Sequence, residues 1–324
     1  MKQVVTAAWL VFLASVPLWL DNPYLLHVFI VTGIFMVAAI SLNLLLGYAG
    51  QLSLGHVAFF GIGAYASALM SLGFSVHVFP EVLLEVKAKP VFLSMLVGIM
   101  AAGLCGWMIG RLAFKVRGAY FVIVSISFAE VVRLVAVNWV ELTQGPMALN
   151  NIPPLAIGGF SFFKKNENYW LVLTVAVISY VLVKRIVNSR AGRAMVALAE
   201  NEPLATSVGV DVTKSLVLAA VISAAMAGAA GALYAHYVRI VDPDVFLFLY
   251  TVTMVIMVVT GGKGTLAGPV VGGLVFGLMP EGLRAFAFKP EMQWIIYGVL
   301  MVLVVVYLPT GIVPALKRRL QWLN

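Results

Sequence analysis

Charge is what this 324-residue sequence has least of: 10% of its residues are Asp, Glu, Lys or Arg, against about a quarter in soluble domains. So few charges cannot cover a globule of this size, which excludes a soluble fold for most of the chain. Cysteine is nearly absent too. The single Cys105 lies inside an apolar run; it excludes a disulfide framework and a Cys-based metal centre, and reads as a small packing residue. The few histidines are scattered, His27, His56 and His77 near different segments and His236 at a span end. Neither H-E-x-x-H nor G-x-S-x-G occurs, which argues against an intramembrane hydrolase. A phosphate-binding loop is missing as well: in "TGGKGTLAGP" (260–269), Met257 stands where the first Gly of G-x-x-x-x-G-K-[ST] belongs, and Gly264 follows the Lys.

What the chain has instead is apolar residues, 62% of the total. About 20 in a row are needed to cross the hydrocarbon core. Windows of that kind fall near 4–20, 24–46, 51–72, 91–113, 118–140, 169–187, 214–237, 246–260, 265–283 and 292–309. The expectation is a single all-α transmembrane domain over 1–324, a polytopic helical bundle of about ten spans. The third and ninth windows are rich in Gly and Ser and the eighth is short, so any of them can be broken or re-entrant. The first window runs through large residues to Asp21 without a small-x-small cleavage site, so it reads as a retained span and not a signal peptide.

The net charge of +8 does not point to nucleic acid, because the Lys and Arg residues sit at the ends of apolar runs and form no stripe. They are shared unequally between alternate connections. Thirteen of the 21 fall on the side of Lys2, including Arg111, Lys115, Arg117, Lys184, Arg185, Arg190, Arg193, Lys214, Lys263 and the basic tail (315–324) with Lys317, Arg318 and Arg319. Seven fall on the other side, among acidic residues such as Glu81, Glu85, Asp242 and Asp244, and Arg133 stays inside a span. This bias predicts both termini in the cytoplasm, with the largest outside loops at 73–90 and 141–168.

The longest strongly charged stretch, "GRAMVALAENEPLATSVGVD" (192–211), lies between two spans in a cytoplasmic connection, 189–213. It reads as two short helices, about 190–199 and one started by Asn201 or Glu202, with Pro203 in its first turn and Gly209 closing it. Arg190 and Arg193 stand at a helix N-terminus, where the dipole disfavours cations, and Glu200 and Glu202 gather at the junction, so helix stability did not set this pattern. Leu204 and Val208 share a face with Ala205 beside them, an apolar ridge aimed either at the bundle or at a partner. A capped hairpin with such a ridge suits a membrane protein that receives a push from a soluble motor; the alternative is a solvated loop with ordinary cytoplasmic charges.

Three long segments in this order, "SLNLLLGYAGQLSLGHVAFFGIGAYASAL" (41–69), "GRAMVALAENEPLATSVGVDVTKSLVLAAVISAAMAGAAGALYA" (192–235) and "MVVTGGKGTLAGPVVGGLVFGLMPEGLR" (257–284), resemble the LivM-type permease subunits of branched-chain amino acid ABC importers. The resemblance covers about 28–310. It implies the permease fold of the LivH/LivM/ribose-permease type, a bacterial inner-membrane location and no enzymatic activity or cofactor of its own. It also implies partners: a second, LivH-like permease, two ATP-binding subunits (LivG- and LivF-like) that bind and hydrolyse the ATP, and a periplasmic binding protein that delivers substrate. Residues Arg193, Glu200, Asn201, Glu202, Leu204, Ala205, Val208 and Gly209 are then the ATPase-coupling residues. Leu, Ile and Val are the implied substrates, with another amino acid, a short amide or urea as alternatives. One departure stands out: "ELTQGPMALNNIPP" (141–154) carries Gln144, Ala148, Leu149, Asn150 and Asn151 where many relatives are Gly-rich, which bears on substrate or binding-protein preference.

Inside the spans, Glu130 and Arg133 share a helix face at i and i+3. They read either as part of a translocation path or gate, or as a structural pair, the latter preferred. Asn43, Gln51, Ser53 and His56 form a second polar cluster, where glycines 47, 50 and 55 permit a broken helix; it either lines a polar cavity or supplies interhelical hydrogen bonds. No second ligand group accompanies His56, so no metal site is expected. Gly268 with Gly272, and Gly273 with Gly277, are small-x-x-x-small pairs that predict close helix packing, within the subunit or against a second permease. An ion-coupled secondary transporter is the alternative of a different class; Glu130 and Glu281 are its only candidate coupling acids, and the cytosolic hairpin would lack a purpose.

Overall fold

The computed structural model describes residues 13–17, 19, 22–79, 82–114, 118–157, 160–285, 290–308 and 310–321. The helices follow the apolar runs: α1 Pro23–Asn43, continued by a π-helical turn Leu44–Tyr48, α2 Val57–Leu72, α3 Val91–Ala113 and α4 Ala119–Asn138. A short α5 Val140–Thr143 precedes α6 Lys165–Val187, α7 Arg190–Glu200, α8 Glu202–Ser207 and α9 Val212–Val238. The chain continues through α10 Phe248–Gly261, α11 Gly268–Ala285, α12 Pro290–Tyr307 and α13 Ile312–Gln321.

Five of these are long and apolar enough to cross a membrane: Pro23–Tyr48, Val91–Ala113, Tyr120–Asn138, Lys165–Val187 and Val212–Val238. Val57–Leu72, Phe248–Gly261 and Gly268–Met279 are shorter apolar helices, in the three windows where interruptions were expected. The third window, 51–72, becomes helical only at Val57, and residues 50–56 are irregular. Most of the first window, 4–20, lies outside the described residues.

The expectation of an all-α chain needs one correction, because two antiparallel hairpins occupy the predicted outside loops. β1 Phe74–Phe79 pairs with β2 Val82–Val86, Phe74 opposite Val86, and β3 Ala156–Ile157 pairs with β4 Phe160–Ser161. The period-two pattern of "FSVHVF" explains the first.

α1 and α9 form the centre, each with 72% of its most apolar window buried, whereas α4 and α6 are peripheral at 22% and 17%. α9 packs on α2 and α3 through backbone-close contacts: a Cβ at Gly63 would run into Gly228, and one at Gly106 into Ala224. Small residues are how membrane helices approach closely, since lipid gives no hydrophobic drive between them. The loops at one end are tied together: Leu149 pairs with Val241, the Arg239 Nε donates to the Ile152 carbonyl (3.1 Å), and His77 meets Glu141 (2.6 Å).

Candidate functional site

Local chemistry builds the helical pair α7–α8 at the opposite end. The Ser189 hydroxyl oxygen accepts from the Gly192 N–H (3.3 Å) to cap α7, and Asn201 Oδ1 accepts from the Leu204 N–H (3.0 Å) to cap α8. Gly209, at φ +89, turns the chain out of α8, and Asp211 caps α9 by accepting from the Lys214 N–H (2.9 Å). That backbone bond, then the Lys214 side chain, hold the Asp211 carboxyl below its usual range. The cation at the start of α7 has a purpose that the dipole argument missed: Arg193 Nη1 donates to the Asn188 carbonyl (3.0 Å), just past the C-terminus of α6, where cations are favoured.

The apolar residues of the pair divide. Met195, Leu198 and Ala205 are buried in a cluster with Leu44, Leu45 and Tyr48 of the π-helical turn. Leu204 and Val208 are 63% and 75% exposed, so the ridge points away from the bundle. Beside it an open hollow is lined by Glu202, Pro203, Thr206, Ser207 and Val212. Arg193 and Glu200 are exposed on α7.

The π-helical turn is a joint between this pair and the bundle. Its register slips: the Ala49 N–H reaches the Leu44 carbonyl (3.1 Å) and the Gln51 N–H the Leu45 carbonyl (2.9 Å), and such turns are rare outside functional or strained places. Asn43 fixes one side of it, its amide nitrogen donating to the Thr265 carbonyl (2.9 Å) while its Oδ1 accepts from the Gly264 N–H (3.0 Å). Gly50 meets α7 on the other side, at φ +69, where a Cβ would stand 3.0 Å from the Ala199 Cβ.

Of the other polar residues of this region, His56 and Gln51 are bonded within the chain. His56 is fully buried against the Ser41 hydroxyl (2.8 Å). Ser41 donates its hydrogen to the Ala38 carbonyl (2.6 Å), so His56 donates from Nε2, and its Nδ1 has no partner among the described residues. Ser53 is buried at the edge of a narrow crevice that Ser125 also lines. Gln51 is half-buried, its amide 3.5 Å from the Ala49 carbonyl. Asn43, Gln51, Ser53 and His56 thus share one end of α1 and α2 but do not converge on one cavity.

Glu130 and Arg133 lie elsewhere. Arg133 Nε and Nη2 donate to the Glu130 carboxylate at 2.7–3.1 Å, and the pair is on the outer face of α4, the Glu130 side chain 52% exposed. The four packing glycines all meet elements of this chain. A Cβ at Gly268 would strike Gly262, at Gly272 the Met257 backbone, at Gly277 Thr32, and at Gly273 it would sit 3.2 Å from Met36. They seat α11 between α10 and α1. Among the described residues no three His, Cys, Asp or Glu side chains come together as a metal site would require.

Sequence reasoning treated Asp242 and Asp244 as ordinary loop charges. The structure carries them down the bundle to the level of Glu130 and Arg133, the signal being a Pro between two acids just before the apolar run 245–249.

An apolar bundle with an exposed, capped helical pair at one end and laced loops at the other is the architecture of a multi-span membrane subunit. The chain belongs to the family described as the branched-chain amino acid transport system / permease component, whose model matches residues 24–305. It is 28% identical to the high-affinity branched-chain amino acid transport system permease protein LivM of Escherichia coli K12, covering 90% of this chain and 71% of that protein. It is also 28% identical to LivH of Salmonella typhimurium (86% and 90% covered), and 24% to a probable LivM of Methanocaldococcus jannaschii (87% and 91%). No solved structure matches the chain.

Proposed function

We propose that this chain is the membrane-spanning permease subunit of an ATP-driven importer in the bacterial inner membrane, and that it moves leucine, isoleucine and valine, delivered by a periplasmic binding protein, into the cytoplasm. About ten spans, both termini cytoplasmic, then make one half of a pore completed by a second, LivH-like permease. ATP is bound and hydrolysed by two LivG- and LivF-like subunits, and α7–α8 is the segment on which they push.

The observation that carries this reading is the division of the α7–α8 side chains. Leu204 and Val208 are exposed on a rigid, capped element whose other face is locked onto α1. Exposed apolar side chains on an ordered element mark a docking surface, and an ATPase subunit of the same importer is the occupant that family membership supplies. Copurification of the tagged chain in mild detergent, with mass spectrometry of whatever accompanies it, followed by uptake into ATP-loaded proteoliposomes, tests it. Two ATPase subunits, a second permease and ATP-dependent leucine uptake are expected. A lone chain that transports without ATP would overturn the reading, and uptake of a short amide or urea in place of leucine would correct the substrate.

A further inference from the structure

After α9 the chain does not stay at the surface. The 3-10 turn Pro243–Phe246 dips alongside α2, where the Phe246 ring stacks on Tyr65 (centroids 5.6 Å apart, 17° between planes) and fills the space over Gly61. Tyr65 comes seven residues before the end of α2, so at 1.5 Å per residue the turn lies about 10 Å below that end. Counted back from the end of α4 at Asn138, Glu130 and Arg133 lie at a similar depth, and the turn packs against α4 there.

Side chains alternate along the turn. Pro243, Val245 and Phe246 are buried while Asp242 and Asp244 are exposed. The packing of the turn on α4 brings Asp244 toward Arg133, without an ion pair between them among the described residues. The bonded Glu130–Arg133 pair on the outer face of α4 and the nearby Asp244 therefore stand at a depth where, in a membrane subunit, charge is rare and marks a substrate or ion path. Arg133 Nη1 has no hydrogen-bond partner among the described residues, its Nε and Nη2 being held by Glu130. A second observation comes from Tyr65. Tyr65 is 6% exposed, beneath the turn that carries Asp242 and Asp244, and its hydroxyl has no hydrogen-bond partner among the described residues. Exposed Val131 and Leu134 of α4 and Leu247 after the turn give the same region apolar surface.

We propose that Arg133 and Asp244, with Glu130 and Asp242, form a station on the translocation path that takes a zwitterionic amino acid: Arg133 meets the α-carboxylate and the Asp242–Asp244 edge meets the α-ammonium. The station rests on the reading of the chain as a permease subunit, and it assigns substrate contact to residues at the outer face of α4, where a second permease would close the path. An aliphatic side chain fits beside Val131 and Leu134.

The test uses the complete importer in proteoliposomes, with Asp244→Asn, Arg133→Gln and the conservative Asp244→Glu. Asp244 is exposed, so its replacement leaves the fold intact, which detergent-extracted protein levels check. Loss of one charged hydrogen bond corresponds to about tenfold. Leucine uptake per complex is expected to fall about that much in Asp244→Asn and Arg133→Gln, while ATP hydrolysis stimulated by the binding protein stays near wild type and Asp244→Glu transports. Wild-type uptake in Asp244→Asn overturns the station, and so does a parallel loss of uptake and ATP hydrolysis. A wild-type complex that fails to import any amino acid with ATP is a different result, because it removes the permease reading itself.

Discussion

Replacing Gly50 by Ala tests whether α7 is held to the bundle through the irregular segment after α1. At φ +69 an L-residue costs about 1–2 kcal/mol. A less flexible unfolded chain returns about 0.4–1 kcal/mol of that. The new Cβ would lie 3.0 Å from the Ala199 Cβ and 3.1 Å from its Cα, inside the roughly 3.5–4.0 Å of a normal carbon contact. Since one of those atoms is backbone, relief requires α7 to retreat by about half an ångström as a body. The net loss of stability is about 1 kcal/mol, small enough for the complex to assemble.

Three variants separate the two causes: Gly50→Ala, Ala199→Gly and the double substitution. Ala199→Gly removes the Cβ part of the contact but neither the Cα part nor the backbone strain. Thermal melting in detergent should show a coupling of about 0.5–1 kcal/mol between the two sites, beyond the ~0.3–0.5 kcal/mol scatter of independent ones. In the assembled importer, uptake per ATP hydrolysed should fall in Gly50→Ala and partly recover in the double variant. Additive melting data would show that Gly50 and α7 do not touch, and unchanged uptake per ATP would show that their contact does not transmit.

Leu204→Asp, or Glu202→Lys, should abolish both uptake and stimulated ATP hydrolysis while membrane insertion, followed by extraction yield, stays normal; normal uptake would remove α7–α8 from coupling. Ala148 holds φ 62 and ψ 153, a region nearly reserved for glycine that costs about 1–3 kcal/mol. Ala148→Gly should therefore raise the melting temperature by an amount equivalent to about 1 kcal/mol, and a decrease would show that the strain is absent. Glu141 is held below the usual carboxylate range by hydrogen bonds from the His77 side chain and then its backbone N–H. A depressed carboxyl stabilises the fold above its unfolded value, about 4.3, and that contribution is lost as pH falls through the lower folded value. The difference in melting temperature between wild type and Glu141→Gln should shrink as pH falls below the unfolded carboxyl value; a difference that does not change on acidification would refute it.

The helical pair was legible because its determinants are local. Asn201, Pro203 and Gly209 act within a few residues of themselves, and the structure uses each as its chemistry dictates. Five of the ten expected spans were legible for the same reason, as runs of apolar residues, and glycines 50 and 55 announced the break before Val57. What could not be read depends on partners far along the chain. The π-helical turn exists where Asn43 finds a loop 221–222 positions away, and no pattern within 41–51 encodes that meeting. The 141–154 departure was visible as missing glycines, but its physical content, positive φ at Gln144, Ala148 and Asn151, is a backbone property. Depth is likewise tertiary: Asp242 and Asp244 look like surface charges until Phe246 is seen stacked on Tyr65.

Those long-range contacts also join the two ends of the molecule. The irregular segment between Gly50 and α2 is pinned at its far end, the Leu54 and Gly55 N–H groups donating to Ser125 of α4 (3.1 and 3.3 Å) and the Val57 N–H to Thr251 of α10 (3.1 Å). A displacement of α7 that presses on Gly50 therefore cannot be absorbed in 50–56 alone without breaking buried hydrogen bonds, each of which leaves a polar group unsatisfied at about 1–3 kcal/mol. Moving α2, α4 and α10 together avoids that cost. α2 carries Tyr65 beneath the Phe246 turn, and α4 carries Glu130 and Arg133, so a push on α7 would reach the elements that hold the charged groups of the proposed station.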